Sequence, residues 1–213
     1  MKVMEKTVKI PFYKNHGWQC GPRCAAMILK YYRPEIKIDW KKFARIMHHC
    51  RPRTWTFTQQ LGLLLDHYGL KTKVFSREKL QTTREDPEQF HRAFGKDYLK
   101  LIKQVDIEDY DWSLRMARRR RLIVCRSTKF SEIINLFQKG CLVIFPVDWN
   151  ILNHKSGAYE GHFVVLSGLK KGGQALIHDP DMGPHQSYSV KTLNKAYKHP
   201  VITDDLIVVC GRK

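Results

Sequence analysis

The two halves of this 213-residue chain carry different hydrophobic patterns. Before about residue 70 apolar residues recur mostly at helical spacing, whereas the second half contains short apolar runs broken by Gly, Asp or Pro. These runs are predicted strands, at Cys141–Val147, His162–Leu169, Ala175–His178 and Leu206–Cys210. Helices followed by antiparallel strands are typical of an α+β fold.

Capping residues and periodicity set the remaining expected elements. We predict helices at Gly21–Tyr32, from an Asp39 cap to about His49, at Thr58–Tyr68, at Phe130–Gln138 and at Val190–Tyr197, and strands at Val3–Phe12 and Lys71–Phe75.

The length and the 43% hydrophobic content fit one folded domain, residues 1–213. The composition changes between about residues 77 and 121, where the sequence is highly charged and its apolar residues recur mostly at helical spacing. Asp86 followed by Pro87 is a helix start there. We therefore expect a basic helical insertion of two helices at about 77–121.

The charge balance is strongly basic, with 38 Lys and Arg against 20 Asp and Glu, a net charge of +18. Such a surface attracts polyanions, including nucleic acid. Within the insertion, Tyr110 and Trp112 could stack on bases. Phosphates could be bound by five arginines, Arg115, Arg118, Arg119, Arg120 and Arg121. The alternatives are a solvated charged face or a lid over the active site.

No apolar run approaches the roughly 20 residues of a membrane helix, and Met1–Phe12 lacks a signal-peptide core. The expected location is therefore the cytoplasm, and the six cysteines are expected to be free thiols. Cys141 and Cys210, in apolar runs, are expected to be ordinary core residues. The sequence does not indicate an oligomeric state.

The segment Cys20-Gly21-Pro22 directly precedes an amphipathic run, which places the cysteine at a helix N-terminus. Backbone N–H groups and the helix dipole favour a thiolate there. Gly21 leaves room for a substrate to approach the sulfur. Taken alone, Cys20 could equally be a buried small apolar residue.

His162 opens an apolar strand, and Asp179 ends the next strand before Pro180. If the two strands pair, Asp179 can orient His162, which then accepts the thiol proton. Asp148, which ends an earlier strand, is the main rival, and Asp181 is expected to face solvent. Each residue alone also fits a structural role, as a strand-end histidine or a turn aspartate.

A zinc site was the other chemistry to weigh, because cysteines and histidines cluster in the first fifty residues. Its ligands would come from Cys20, Cys24, His48, His49 and Cys50. The spacing matches no zinc knuckle, and His48-His49 is typical of an exposed helix end. We therefore predict neither a metal nor another cofactor.

Taken together, Cys20-Gly21-Pro22, then Gly161-His162-Phe163-Val164-Val165, then His178-Asp179-Pro180 resemble the bacteriocin-processing cysteine peptidases. These are the double-glycine leader peptidases and their stand-alone relatives, in the papain-like clan. The resemblance covers roughly Val8–Phe75 and Lys129–Cys210. It implies a papain-like fold, with a nucleophile helix in the N-terminal helical part and a C-terminal antiparallel sheet, and a Cys20-His162-Asp179 triad acting on a peptide or protein.

The chain departs from this family at one position. The family usually has a glutamine about six residues before the cysteine, whose amide helps to form the oxyanion hole, but Lys14 is there in this chain. Asn15 or Gln19 is the expected substitute. The first hypothesis is therefore a cysteine peptidase or amide hydrolase, with acyl transfer possible at the same site. The second is a catalytically weak or idle papain-like module that binds a peptide or polyanion.

Overall fold

The computed structural model describes residues 5–17, 19–49, 53–77, 80–198 and 205–213. Helices dominate the first two thirds and strands the last third, which confirms the α+β class. The helices are α1 Cys20–Tyr32, α2 Trp40–Met47, α3 Thr58–His67, α4 Gln89–Phe94, α5 Tyr98–Leu101, α6 Ile107–Arg119, α7 Phe130–Gln138, α8 Trp149–Leu152 and α9 Val190–Tyr197. The strands are β1 Lys6–Thr7, β2 Leu70–Ser76, β3 Ile123–Cys125, β4 Leu142–Asp148, β5 Gly161–Lys170, β6 Gln174–Asp179, β7 Gly183–Ser189 and β8 Leu206–Arg212.

The strands form one eight-stranded sheet in the order β3-β2-β8-β4-β5-β6-β7, and β1 pairs with the end of β5. The β2–β3 pair is parallel and all the others are antiparallel. β4 and β5 lie at the centre and are almost entirely buried. Such strands read as continuous apolar runs in the sequence, which is why both were predictable.

The helix α1 is the central helix of the domain, with every residue from Gly21 to Leu29 buried. It packs on β5 and against α3. A Cβ added to Gly21 would lie 3.2 Å from side-chain carbons of Leu61 and Phe163. Gly21 therefore lets the start of α1 approach its neighbours closely.

The charged middle of the chain has a small apolar core of its own, formed by Phe90, Phe94, Leu101, Val105, Tyr110 and Leu114. It is built from the two short helices α4 and α5, two single 3₁₀ turns and the longer helix α6. α6 also packs on α3 through Leu63 and Ala117. The stretch is thus packed onto the helical part of the fold.

Candidate active site

The nucleophile candidate Cys20 is the first residue of α1 and is partly exposed. The first N–H groups of a helix have no partner within the helix. Among the described residues, the side chain of the N-cap residue Gln19 makes no capping hydrogen bond. Because the N–H of Gln19 donates to the Asn15 side chain and Pro22 has no N–H, the backbone donors of Cys20 and Gly21 are the ones suited to meet a substrate or an anion.

The base candidate His162 is the second residue of β5, opposite Val147 of β4, and is 5% exposed. Its Nε2 lies 2.8 Å from Oδ1 of Asp179, the last residue of β6. Because an ionised carboxylate can only accept, Nε2 carries the proton in this hydrogen bond. The other ring nitrogen, Nδ1, lies on the opposite edge of the ring, and Cys20 is close enough to His162 to act on its pKa.

The carboxylate of Asp179 is completely buried and its position is fixed by the turn that follows it. Besides His162, its Oδ1 accepts the backbone N–H groups of Asp181 at 2.9 Å and Met182 at 3.2 Å. Burial raises the pKa of the Asp179 carboxyl, but the hydrogen bond to His162 and these backbone donors outweigh it and lower the pKa overall. Asp179 is therefore an anion at neutral pH.

The same contacts act on the histidine. Burial disfavours the protonated ring, but hydrogen bonds to Asp179 and Cys20, with the charges of both, raise the pKa of His162 to about 10. At neutral pH the ring is thus an imidazolium that lies close to Cys20.

The two rival carboxylates, Asp148 and Asp181, differ in how they relate to the His162 ring. Asp148 caps α8, accepting the N–H of Asn150 at 2.9 Å. Asp181 was expected to face solvent, but its Oδ2 lies 3.6 Å from Nδ1 of His162 although the side chain is 42% exposed. Of the two, Asp181 thus approaches the catalytic ring, on the edge opposite Asp179.

Of the two expected oxyanion donors, the Asn15 amide nitrogen is engaged in other contacts, whereas the side-chain contact of Gln19 uses its oxygen. The Asn15 amide nitrogen donates to Gly17 O and to Asp181 Oδ1, and the Asn15 side-chain oxygen accepts the N–H of Gln19. Gln19 is exposed, and its side-chain oxygen accepts from Arg23 at 2.9 Å. Lys14, at the position where the resembled family has glutamine, is exposed.

A groove of about 540 Å³ opens near the start of α1. Gly17, Gln19 and Pro22 line it from both sides of Cys20, and α2 contributes Trp40, Phe43 and Met47. His16, His49 and Arg53 line it as well, so the groove combines apolar and polar side chains, as sites that bind part of a peptide do.

The five arginines in the last turns of α6 and directly after it separate into two groups. Arg118 pairs with Glu85 at 2.9 Å and Arg120 with Asp66 at 3.0 Å. Arg115, Arg119 and Arg121 are exposed. Tyr110 cannot stack on a base as expected, because it is buried in the small core and its hydroxyl is within hydrogen-bond distance of Gln89.

The cysteines correct one expectation. Cys141 and Cys210 form a disulfide instead of remaining free. They lie opposite each other where β4 and β8 pair, with Cα atoms 4.3 Å apart, a typical separation for residues facing each other across antiparallel strands. Cys20, Cys24 and Cys125 are free thiols.

Of the residues considered as zinc ligands, Cys24 and His48 make other contacts, and Cys50 lies outside the described residues. The Cys24 thiol is fully buried and contacts Phe163 O at 3.2 Å. His48 is not simply an exposed helix end, because its Nδ1 lies 3.0 Å from Asp109 and its ring stacks on Trp112. Among the described residues, the three potential metal ligands that lie close together are His162, Asp179 and Asp181.

Two residues near the site carry no sequence signal that singles them out. Asp181 follows a proline in a turn, a position where aspartate is common in any protein. Tyr159 precedes β5 by two residues. Burial raises the pKa of its hydroxyl, and the charges of Asp148, Asp205 and Cys20 raise it further, so Tyr159 lies close enough to Cys20 to be affected by its charge.

The fold is similar to those of two solved peptidases. One is a C39-like peptidase from Bacillus anthracis, with 14% sequence identity, a TM-score of 0.59 and coverage of 99% of both chains. The other is a double glycine motif protease from an AMS/PCAT transporter, in complex with the leader peptide. It has 16% identity and a TM-score of 0.50, and the match covers 97% of this chain and 98% of the other.

These similarities confirm the papain-like cysteine peptidase fold, with its N-terminal helices and C-terminal antiparallel sheet. By sequence, the chain belongs to the family described as guanylylate cyclase, whose family model matches residues 10–209. No curated protein matches the chain. The expected resemblance to bacteriocin-processing peptidases is thus confirmed in the fold, while the family that matches by sequence bears the name of a different activity. No helix in the described residues is both long and apolar enough to cross a membrane.

Proposed function

We propose that this chain is a cysteine peptidase or amide hydrolase that uses Cys20, His162 and Asp179. The observation that carries the proposal is the position of His162, which is hydrogen-bonded to the buried Asp179 and lies close to Cys20, the first residue of α1. A peptide is the proposed substrate, since the similar double glycine motif protease was solved with a leader peptide.

In this mechanism the reacting form of the site is a Cys20 thiolate beside a His162 imidazolium. The thiolate attacks the substrate carbonyl, and the imidazolium gives its proton to the leaving amine. The neutral ring then takes a proton from water, which attacks the thioester and releases the acid. Asp179 keeps the ring oriented and stabilises its charged form throughout.

The developing oxyanion needs hydrogen-bond donors beside the sulfur. The N-terminal N–H groups of α1 are proposed for this role, with the Gln19 amide as the side-chain donor. The Asn15 amide can contribute only if it releases Asp181. Because one such donor contributes about 10²–10³ in rate, a partly filled oxyanion hole predicts slow turnover.

Labelling of the free cysteines tests the nucleophile. Iodoacetamide at pH 7 should alkylate Cys20 at least about tenfold faster than the exposed Cys125, because the helix terminus and the imidazolium both favour the thiolate. Quantitative mass spectrometry of the cysteine peptides gives both rates in one sample. Equal rates at the two residues would contradict the proposal.

A peptide library with cleavage mapped by mass spectrometry tests the reaction itself. Cleavage should occur with the natural chain and disappear in Cys20→Ala, while Cys125→Ala serves as the matched control and should cleave normally. Unchanged circular dichroism in both variants excludes unfolding as the cause. Cleavage that persists in Cys20→Ala would remove Cys20 from the mechanism.

The family description favours a second candidate, the cyclisation of GTP. This reaction needs a group that binds the phosphates, and among the described residues His162, Asp179 and Asp181 could hold a divalent cation for that purpose. Incubation with GTP and magnesium, followed by measurement of cyclic GMP, tests it. Cyclic GMP formation that survives in Cys20→Ala but is lost in Asp181→Asn would favour the cyclase over the peptidase.

A further inference from the structure

A second carboxylate lies beside the catalytic histidine, on the edge of the ring that Asp179 does not occupy. Asp181 is in the turn between β6 and β7, with Oδ2 3.6 Å from Nδ1 of His162. Its side chain is 42% exposed, whereas Asp179 is completely buried. Asp181 is thus the exposed carboxylate of the two, and it lies on the edge of the His162 ring that Asp179 leaves free.

Asn15 holds this carboxylate in place. Its amide nitrogen donates to Asp181 Oδ1 at 2.7 Å, and its backbone N–H donates to Pro180 O at 2.8 Å. Its side-chain oxygen accepts the N–H of Gln19 at 3.1 Å. The turn that carries Asp181 is thus tied to the loop that leads into Cys20, so that the charge is fixed in position before any substrate binds.

The charge of Asp181 reaches the start of α1. Burial is the main reason why the pKa of the Cys24 thiol is raised, and the charges of Cys20, Asp179 and Asp181 raise it further. Cys24 lies one helical turn beyond Cys20. A charge that acts at Cys24 also acts on groups bound at the sulfur of Cys20, which is partly exposed.

We propose that Asp181 is a specificity-determining residue that favours substrates with a positive charge next to the scissile bond and disfavours those with a negative charge. The proposal rests on Cys20 being the nucleophile. A carboxylate already held by Asn15 attracts a cation without first having to be ordered. It also repels an anion at the same distance, so both effects act in one direction.

The nearest positive group is the His162 ring, whose Nδ1 lies 3.6 Å from Asp181 Oδ2, and other positive side chains lie on the neighbouring elements. Arg23 is turned toward Gln19 and stacks 3.7 Å from the Trp40 ring centroid. Lys14 and His16 are exposed on the loop before Cys20. All three remain when Asp181 is replaced by the isosteric asparagine, so that substitution isolates the effect of one charge.

The experiment compares two small thiol reagents of opposite charge, 2-aminoethyl and 2-sulfonatoethyl methanethiosulfonate. The rate of modification is measured at Cys20 and at the exposed Cys125, and the cation-to-anion ratio is calculated for each. Cys125 reports the general effect of the net charge of +18. We expect the ratio at Cys20 to exceed that at Cys125 about tenfold, as a fixed charge some 5 Å away in a partly exposed site predicts.

In Asp181→Asn the ratio at Cys20 should fall to within about twofold of the Cys125 ratio. Asn15→Ser, which keeps the charge but removes the amide that holds it, should give an intermediate value. An unchanged ratio in Asp181→Asn would overturn the proposal. The ratio can be measured at any absolute rate, so a slow reaction at Cys20 counts against the proposed hydrolase and not against the role of Asp181.

A peptide library provides the second measurement. Cleaved peptides should be enriched in Lys and Arg, and depleted in Asp and Glu, next to the cleavage position, and Asp181→Asn should remove this bias. Cleavage without any charge bias would contradict the proposal even if Cys20 is the nucleophile.

Discussion

The pairing of His162 with Asp179 should make stability depend on pH. The pKa of His162 is raised from 6.5 to about 10, so its contribution is fully present below pH 6.5 and is lost as the pH rises through about 10. We expect the free energy of unfolding to fall between pH 8 and pH 10.5, by on the order of 1–3 kcal/mol. Urea denaturation at fixed pH values measures it.

Asp179→Asn is the matched variant for this prediction, because asparagine keeps the shape and removes the charge that raises the pKa of His162. The alkaline loss of stability should be smaller in the variant, while general effects of lysine and tyrosine titration remain in both proteins. Parallel curves for the two proteins would show that the pair does not contribute.

At the residue scale, the sequence predicted where the three candidate residues lie in their helix and strands, because a backbone pattern determines each position. Cys20 precedes a proline in the first turn of a helix, His162 opens a buried strand and Asp179 ends the next one, so that each has a position set by its element. The contact between Asp181 and His162 depends on how a turn folds back toward a distant loop. That arrangement involves Asn15, and no periodicity in the sequence encodes it.

At the scale of elements, strongly patterned segments were predicted well. The helices Phe130–Gln138 and Val190–Tyr197 have the predicted bounds, and Asp39 caps α2 by accepting the N–H of Lys42. β7, Gly183–Ser189, was missed because it is mostly polar and lies at the edge of the sheet. The expected helix start at Asp86 was early, since α4 begins at Gln89.

The Cys141–Cys210 disulfide was missed because two cysteines 69 residues apart reveal their pairing only once the strand order is known. Closing a loop of that length should stabilise the fold by about 4 kcal/mol through the unfolded chain. We expect Cys141→Ser and Cys210→Ser to lower the midpoint of urea denaturation, and a reducing agent to do the same to the natural chain. Cys125→Ser is the control and should have little effect.

A reduced chain that unfolds at the same urea concentration as the oxidised chain would contradict this prediction. The two single variants should behave alike, since each removes the same link. A large difference between them would indicate that one of the side chains contributes through packing and not through the disulfide.

At the scale of the whole molecule, the positively charged side chains differ in whether they are paired with a carboxylate or exposed for binding a polyanion. Of the five arginines first considered for polyanion binding, Arg118 and Arg120 have carboxylate partners. Arg115 and Arg119 are exposed, and with Trp112 they follow one face of α6 at helical spacing, around a shallow groove. We therefore propose this face, and not the whole basic run, as a surface for single-stranded nucleic acid.

Binding to this face should be strongly salt-dependent, because phosphate contacts release counterions. Fluorescence anisotropy with a labelled single-stranded oligonucleotide measures affinity across NaCl concentrations. Replacing Arg115 and Arg119 with glutamine removes two contacts, so the slope of log affinity against log salt should decrease by about 1.4. Lys170→Gln with Lys171→Gln removes the same charge from the exposed β5–β6 hairpin and should leave the slope unchanged. Equal effects of the two double variants would indicate attraction by net charge alone, and no binding at low salt would remove the proposed surface.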